Sequence, residues 1–171
     1  MTVRKIIRFP DKRLKQACVE VGPIGADIAA IWQDLDDTNM SLAGNVGLSA
    51  PQIGVLLRLC VVDGSETRDQ VVRMADPVLR PIVSEGTFWS AEGSPCLPGV
   101  MEHVERNSRV EAEYTNETGQ RVTRVFDGLW AASVQHQVDH MNGKLFIDKL
   151  SRVKRDMAVR KLTKRTPKGR A

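Results

Sequence analysis

The chain has 171 residues, 42% apolar and 27% charged, a composition that suits one soluble globular domain with a proper core. No segment approaches the roughly 20 consecutive apolar residues of a membrane span, which excludes helical membrane proteins and implies no membrane partner. The N-terminus carries basic residues without a sustained apolar run, so no secretory leader is expected. Three cysteines (Cys18, Cys60 and Cys96) cannot all pair and are expected to be reduced thiols in a cytoplasm.

The net charge of +4 is uneven. From Arg152 to Ala171 nine Lys and Arg face one acid, Asp156, giving +8 there and −4 on the rest. A basic C-terminus of about 151–171 on an acidic body suits a polyanionic partner such as RNA, and equally a solvated helix end.

In chain order, Pro10 and Asp11 predict a short turn carrying Arg13 and Leu14. Ile28, Ile31, Trp32, Leu35 and Leu42 follow a helical period, predicting an amphipathic helix over 26–43. A glycine-rich loop, GNVGLSAPQIG, follows over 44–54. It lacks the lysine of a phosphate loop. Gln52, placed after a proline, can aim an amide at a bound carbonyl.

Segments 57–63, 70–75, 78–84, 108–115 and 120–126 read as strands. Val110, Ala112 and Tyr114 alternate with Arg109, Glu111 and Glu113, the pattern of a sheet with one wet face. A second helix is expected over 128–142, capped by Asp127 and stopped by Gly143, and a third over 151–164. Strands and helices are segregated, so the fold class is α+β with a largely antiparallel sheet and a central helix against it.

That second helix carries His136 and His140. At a spacing of four they share one helix face and can hold one metal ion. They can also be two structural histidines bonded to backbone or carboxylate. Asp139 can orient such a histidine or pair with an arginine. A metal with an open position needs a third protein ligand, and Cys96, in a loop bounded by glycine and proline, is the best candidate. A small buried apolar role is its alternative.

Taken together, NVGLSAPQIG at 45–54, EGSPCLPG at 92–99 and QHQVDHMNGKLF at 135–146 resemble the three ordered motifs of the peptide deformylases, and PDKRL at 10–14 resembles their opening segment. The resemblance implies a metallohydrolase that removes the formyl group from N-formylmethionyl peptides, with one domain over 1–171, strands around a central metal-binding helix, and a C-terminal helix. It implies one divalent metal (iron(II), zinc or nickel) on His136, His140 and Cys96. Gln52 and the backbone N–H of Leu97 would face the formyl oxygen. Val46, Gly47, Glu92 and Gly93 would contact substrate. The basic C-terminus would dock near ribosomal RNA.

Several positions depart from the motifs. Asn45 replaces a glycine and Ser49 an alanine. Gln137 stands where the family has its glutamate base, and losing a general base commonly costs about 10²–10⁴ in rate. In an ungapped register from Glu92, Ser94 occupies the family's cysteine position and Cys96 lies two residues later. The same register places Arg106 as the partner of Glu92. Either the loop is rebuilt so that Cys96 reaches the metal, or the site lacks a thiolate. If positions 94–96 are extended, both side chains lie on one side. Pro95 has no N–H to offer an oxyanion. A non-catalytic protein that keeps the cleft and binds formyl-peptide or ribosome is the second reading.

Overall fold

The computed structural model describes residues 2–165, with the side chain of Arg165 left out. The expected basic tail beyond 165 lies outside the described residues. Among the described residues three α-helices, α1 (Ala26–Ser41), α2 (Gly128–Met141) and α3 (Arg152–Arg165), accompany seven strands. The strands are β1 (Gly47–Ser49), β2 (Leu59–Val62), β3 (Val72–Pro81), β4 (Thr87–Gly93), β5 (Met101–Asn107), β6 (Arg109–Thr115) and β7 (Arg121–Asp127).

An antiparallel sheet runs in the order β1-β2-β3-β6-β7, and β4 pairs with β5 in a separate two-stranded sheet. The α+β expectation therefore holds. Four strand pairings in the large sheet are all antiparallel.

Strand β2 explains the layering. Its four residues are all buried, and alternation splits them between two cores. Leu59 and Val61 join Trp32 and Leu35 of α1. Cys60 and Val62 join Ala131, Val134 and Met141 of α2. The helices thus cover opposite faces of this strand. A third cluster joins the N-terminal Ile7 and Leu14 to Val104, Phe146 and Leu162.

The expected strands 70–75 and 78–84 are one strand, β3. Its pairing with β6 shifts register between Ala75 and Val78, where Asp76 has φ 50°. The turn signal of Asp76-Pro77 marks a bulge inside a strand rather than its end. Asp76 also accepts the Val21 N–H at 3.0 Å, fixing the entry to α1.

Helix α2 starts after Asp127, whose side chain makes no capping bond. Its expected stop at Gly143 is real. Gly143 has φ +68°, and a Cβ there would lie 2.6 Å from the Lys15 carbonyl oxygen, so only glycine fits. Among the described residues no helix is long and apolar enough to cross a membrane.

The hairpin β4–β5 was not foreseen. Its inward positions are Ser90, Glu92, Val104 and Arg106, three of them polar or charged. Hydrophobic alternation, the usual sign of a strand, is absent where the interior is an ion pair.

Candidate active site

A cleft of about 530 Å³ opens between the 42–47 segment, the end of β4 and one face of α2. Val46, Gly47, Gln52, Glu92, Gly93, His136 and Gln137 line it, as do Ser94, Ser133 and the rim residues Met101 and Leu129. Met101 and Leu129 are exposed large apolar side chains at its mouth.

The 44–54 segment is ordered rather than a loop. It contains β1 and a 3₁₀ turn, Ala50–Ile53, ended by Gly54 at φ 90°. The N–H and hydroxyl of Ser49 both donate to Gln52 Oε1 at 2.9 Å. The amide oxygen is thereby committed, and Nε2 is turned toward Ser94 Oγ at 3.4 Å and Cys96 Sγ at 3.6 Å. Gln52 is thus a buried donor with fixed orientation. The hydroxyl of Ser49, where the family's motif has alanine, supplies one of the two bonds that lock it.

Close packing explains Gly47. A Cβ there would lie 2.7 Å from Ser133 Oγ and 3.0 Å from both Gln137 Nε2 and the Val61 carbonyl oxygen. Overpacking of this kind costs about 1–3 kcal/mol. Gly47→Ala is expected to lower unfolding stability by that amount in urea titration. A neutral result would show that α2 yields freely at this contact.

The histidines lie edge to face, with ring centroids 4.9 Å apart. His136 Nδ1 bonds Glu92 Oε2 at 2.8 Å. Burial pushes the Glu92 carboxyl up, but the hydrogen bonds from Arg106 and His136 outweigh it and hold it at about 2. Glu92 is therefore a carboxylate, and His136 Nδ1 must donate. In the neutral ring the lone pair then sits on Nε2.

Arg106 grips Glu92 with two bonds, Nε to Oε1 at 2.7 Å and Nη2 to Oε2 at 2.8 Å. Its Nη1 donates to Asp139 Oδ2 at 2.6 Å. Of the two roles open to Asp139, arginine pairing is the one observed. Glu92 was expected to contact substrate. Both its oxygens are instead taken by Arg106 and His136, so it positions a histidine.

This arrangement predicts a pH response. Folding lowers the Glu92 carboxyl from its ordinary 4.5 to about 2. Its stabilising contribution is complete above 4.5 and is lost as pH falls through about 2. Urea midpoints are expected to decline across that window, and less steeply in Glu92→Gln. Parallel profiles for the two proteins would remove Glu92 as a source of the acid sensitivity.

His140 is buried, and its pKa is held well below 6.5 by burial first, then by His136, Arg106 and Lys15. It is neutral, the form a metal ligand needs. Its Nε2 lies 3.4 Å from Ser94 Oγ.

The 94–97 segment corrects two expectations. Leu97 N–H donates to the Ser94 carbonyl at 2.9 Å, closing a turn with Pro95 in its second position. The segment is folded back, not extended, so strand alternation does not set the directions of residues 94 and 96, although both side chains reach Gln52 Nε2. Ser94 takes the place beside His140. Cys96 is fully buried, belongs to the apolar cluster of Ile7, Leu14 and Val100, and has its thiol pushed up by burial to about 11. Among the described residues no three His, Cys, Asp or Glu side chains gather as a metal-holding group. The structure therefore does not bring Cys96 to the histidine pair as a third ligand. Leu97 N–H is used by the turn and is not open to an oxyanion.

The remaining donors still fit a divalent ion. They are two imidazoles on one helix turn and a hydroxyl beside one of them. The buried Gln137 Oε1, at the cleft wall, and His140 Nδ1 have no hydrogen-bond partner.

The family model for polypeptide deformylase matches residues 3–156. A peptide deformylase of Rhizobium meliloti is 37% identical over 167 residues, covering 96% of this chain and 94% of that one. One from Agrobacterium fabrum is 35% identical and covers 96% of both. The crystal structure of a peptide deformylase from Legionella pneumophila superposes with TM-score 0.86 at 38% identity over 95% of each chain. One from Ehrlichia chaffeensis, in complex with actinonin, superposes with TM-score 0.91 at 29% identity over 98% of this chain and 99% of that one. Identity at this level along nearly the whole length, on the same fold, makes the chain a member of the polypeptide deformylase family.

Proposed function

We propose that this chain is a peptide deformylase-type hydrolase acting on N-formylmethionyl peptides. Water is consumed, the formyl C–N bond breaks, and formate and a free amine are released. The observation that carries the reading is the convergence in one cleft of the Gln52 amide donor, His136 and the side chain of residue 137, with His140 buried directly behind His136.

His136 and His140 hold a divalent ion, which supplies Lewis-acid chemistry when bound. Imidazole donors suit iron(II), zinc and nickel. Gln52 Nε2 donates to the formyl oxygen and to the negative charge that develops on it. Glu92 keeps His136 in the correct tautomer, and Arg106 keeps Glu92 in place. Val46, Gly47 and Gly93 form the wall along which the peptide lies, and Met101 and Leu129 receive apolar side chains at the mouth.

Gln137 accepts a hydrogen bond through its unpartnered Oε1 and so orients the attacking water. An amide cannot take the proton, which passes to bulk water. Turnover is accordingly slow for this fold. The exposed cations of α3, including Arg152, Arg160, Lys161 and Lys164, dock on ribosomal RNA, where formylated chains emerge in the cytoplasm.

The test is formate release from an N-formylmethionyl tripeptide by the metal-loaded protein. The expected result is formate with an equal amount of free amine, and no release from the N-acetyl peptide. Release no greater than that of the His136→Ala/His140→Ala protein would overturn the reading.

A further inference from the structure

We propose that the third protein donor of this centre is the Ser94 hydroxyl and that Cys96 is a structural thiol outside it. The centre is then thiolate-free, built from two imidazoles and one hydroxyl. This rests on the hydrolase reading above and adds which residue completes the ion's protein ligands.

The backbone decides between the two side chains. The paired register of β4 and β5 and the Glu92–Arg106 ion pair fix residue 92 facing inward. Two residues further along, Ser94 faces the same way. Its Oγ lies 3.4 Å from both His140 Nε2 and Gln52 Nε2. The Cys96 N–H donates to that same oxygen at 3.3 Å and fixes one lone pair, and an ion would take the other, which Gln52 Nε2 now uses, freeing that amide for the formyl oxygen.

Cys96 is held by bonds that compete with ligation. Its carbonyl accepts the Phe9 N–H at 2.9 Å, tying it to the N-terminal segment. The Ser94–Leu97 turn is closed at 2.9 Å, and the Val100 N–H donates to the Leu97 carbonyl at 3.2 Å. With the backbone so fixed, carrying the thiol to the histidines would take Sγ from its place 3.6 Å from Gln52 Nε2 and out of the cluster with Ile7 and Leu14. Ser94 requires only that its bond from Gln52 Nε2 be released. Nearby, the buried and unpartnered Gln137 Oε1 gives an independent sign that a polar group belongs in the cleft.

The donor change has chemical consequences. A hydroxyl is neutral and hard, whereas a thiolate is anionic and soft. The centre should hold its ion less tightly than a thiolate-bearing one and show no metal–sulfur bond.

Cobalt(II) binding, followed by absorption, tests this without reference to activity. The wild-type protein is expected to take up one cobalt with visible d–d bands and no near-ultraviolet sulfur charge-transfer band. Cys96→Ala and Cys96→Ser should keep that spectrum. Ser94→Cys should gain the sulfur band and survive a chelator concentration that strips the wild type. A sulfur band in the wild type, lost in Cys96→Ser, would overturn the proposal and leave the hydrolase reading standing. Cobalt uptake unaffected by His136→Ala would overturn both. Because the wild-type spectrum alone discriminates, the outcome does not depend on every variant folding.

Discussion

Gln137→Glu is expected to raise formyl-peptide turnover by about 10²–10⁴-fold, the usual contribution of a positioned general base. The geometry favours the exchange. Gln137 is 3% exposed, lies one residue from His136 on α2, and lines the cleft. Its Oε1 has no partner, so a carboxylate of the same size introduces no lost hydrogen bond at that atom. Burial should raise the new carboxyl toward the working pH, where a base is most effective. The variant should therefore gain an acid limb in its pH–rate profile that the wild type lacks. No gain, in protein shown to carry its metal, would mean that the missing base is not what limits the rate.

Arg106→Met should cost about 3–5 kcal/mol of folding stability, the loss expected when one partner of a buried ion pair is removed. Arg106 and Glu92 are only 2% and 7% exposed. The arginine makes three bonds within the interior, two to Glu92 and one to Asp139. Without it, Glu92 is left buried beside His136 with no cation to offset its desolvation. A loss of this size is a large share of the roughly 5–15 kcal/mol that holds a domain together. Adding Glu92→Gln should recover part of the loss, because the uncompensated charge is then gone. Urea unfolding of the two singles and the double measures this directly. A single variant within about 1 kcal/mol of wild type would show that the network is dispensable.

Much of the architecture was legible in the sequence, for physical reasons that can be named. Helical spacing of Ile28, Trp32 and Leu35 located α1, and alternation along Val110, Ala112 and Tyr114 located β6. Both signals come from burial on one face. The hairpin β4–β5 escaped because its inner face is an ion pair rather than a stripe of apolar side chains. Strand β3 was split in two because the Asp76-Pro77 bulge carries the residues of a turn.

The site was legible in the same uneven way. His136 and His140 declared themselves by spacing, and Gln52 by its place after Pro51. Cys96 drew attention as a thiol in a glycine-proline loop, while Pro95, at the cleft itself, sits in the second position of the turn that folds the segment back. Ser94 and Ser49 stand out in the sequence only as departures from the family's motifs. Their importance lies in which atoms the fold sets beside them.

A crystal structure grown with zinc and an N-formylmethionyl peptide, phased at the zinc edge, tests the central claim most directly. The account predicts one anomalous peak about 2.0–2.1 Å from the Nε2 atoms of His136 and His140, the usual zinc–imidazole distance. Ser94 Oγ should be the third protein donor, Cys96 Sγ should stay in the apolar cluster, and the formyl oxygen should face Gln52 Nε2. A peak on Cys96 would contradict the proposed donor set. A peak away from the histidine pair, with the peptide outside the cleft, would contradict the account as a whole.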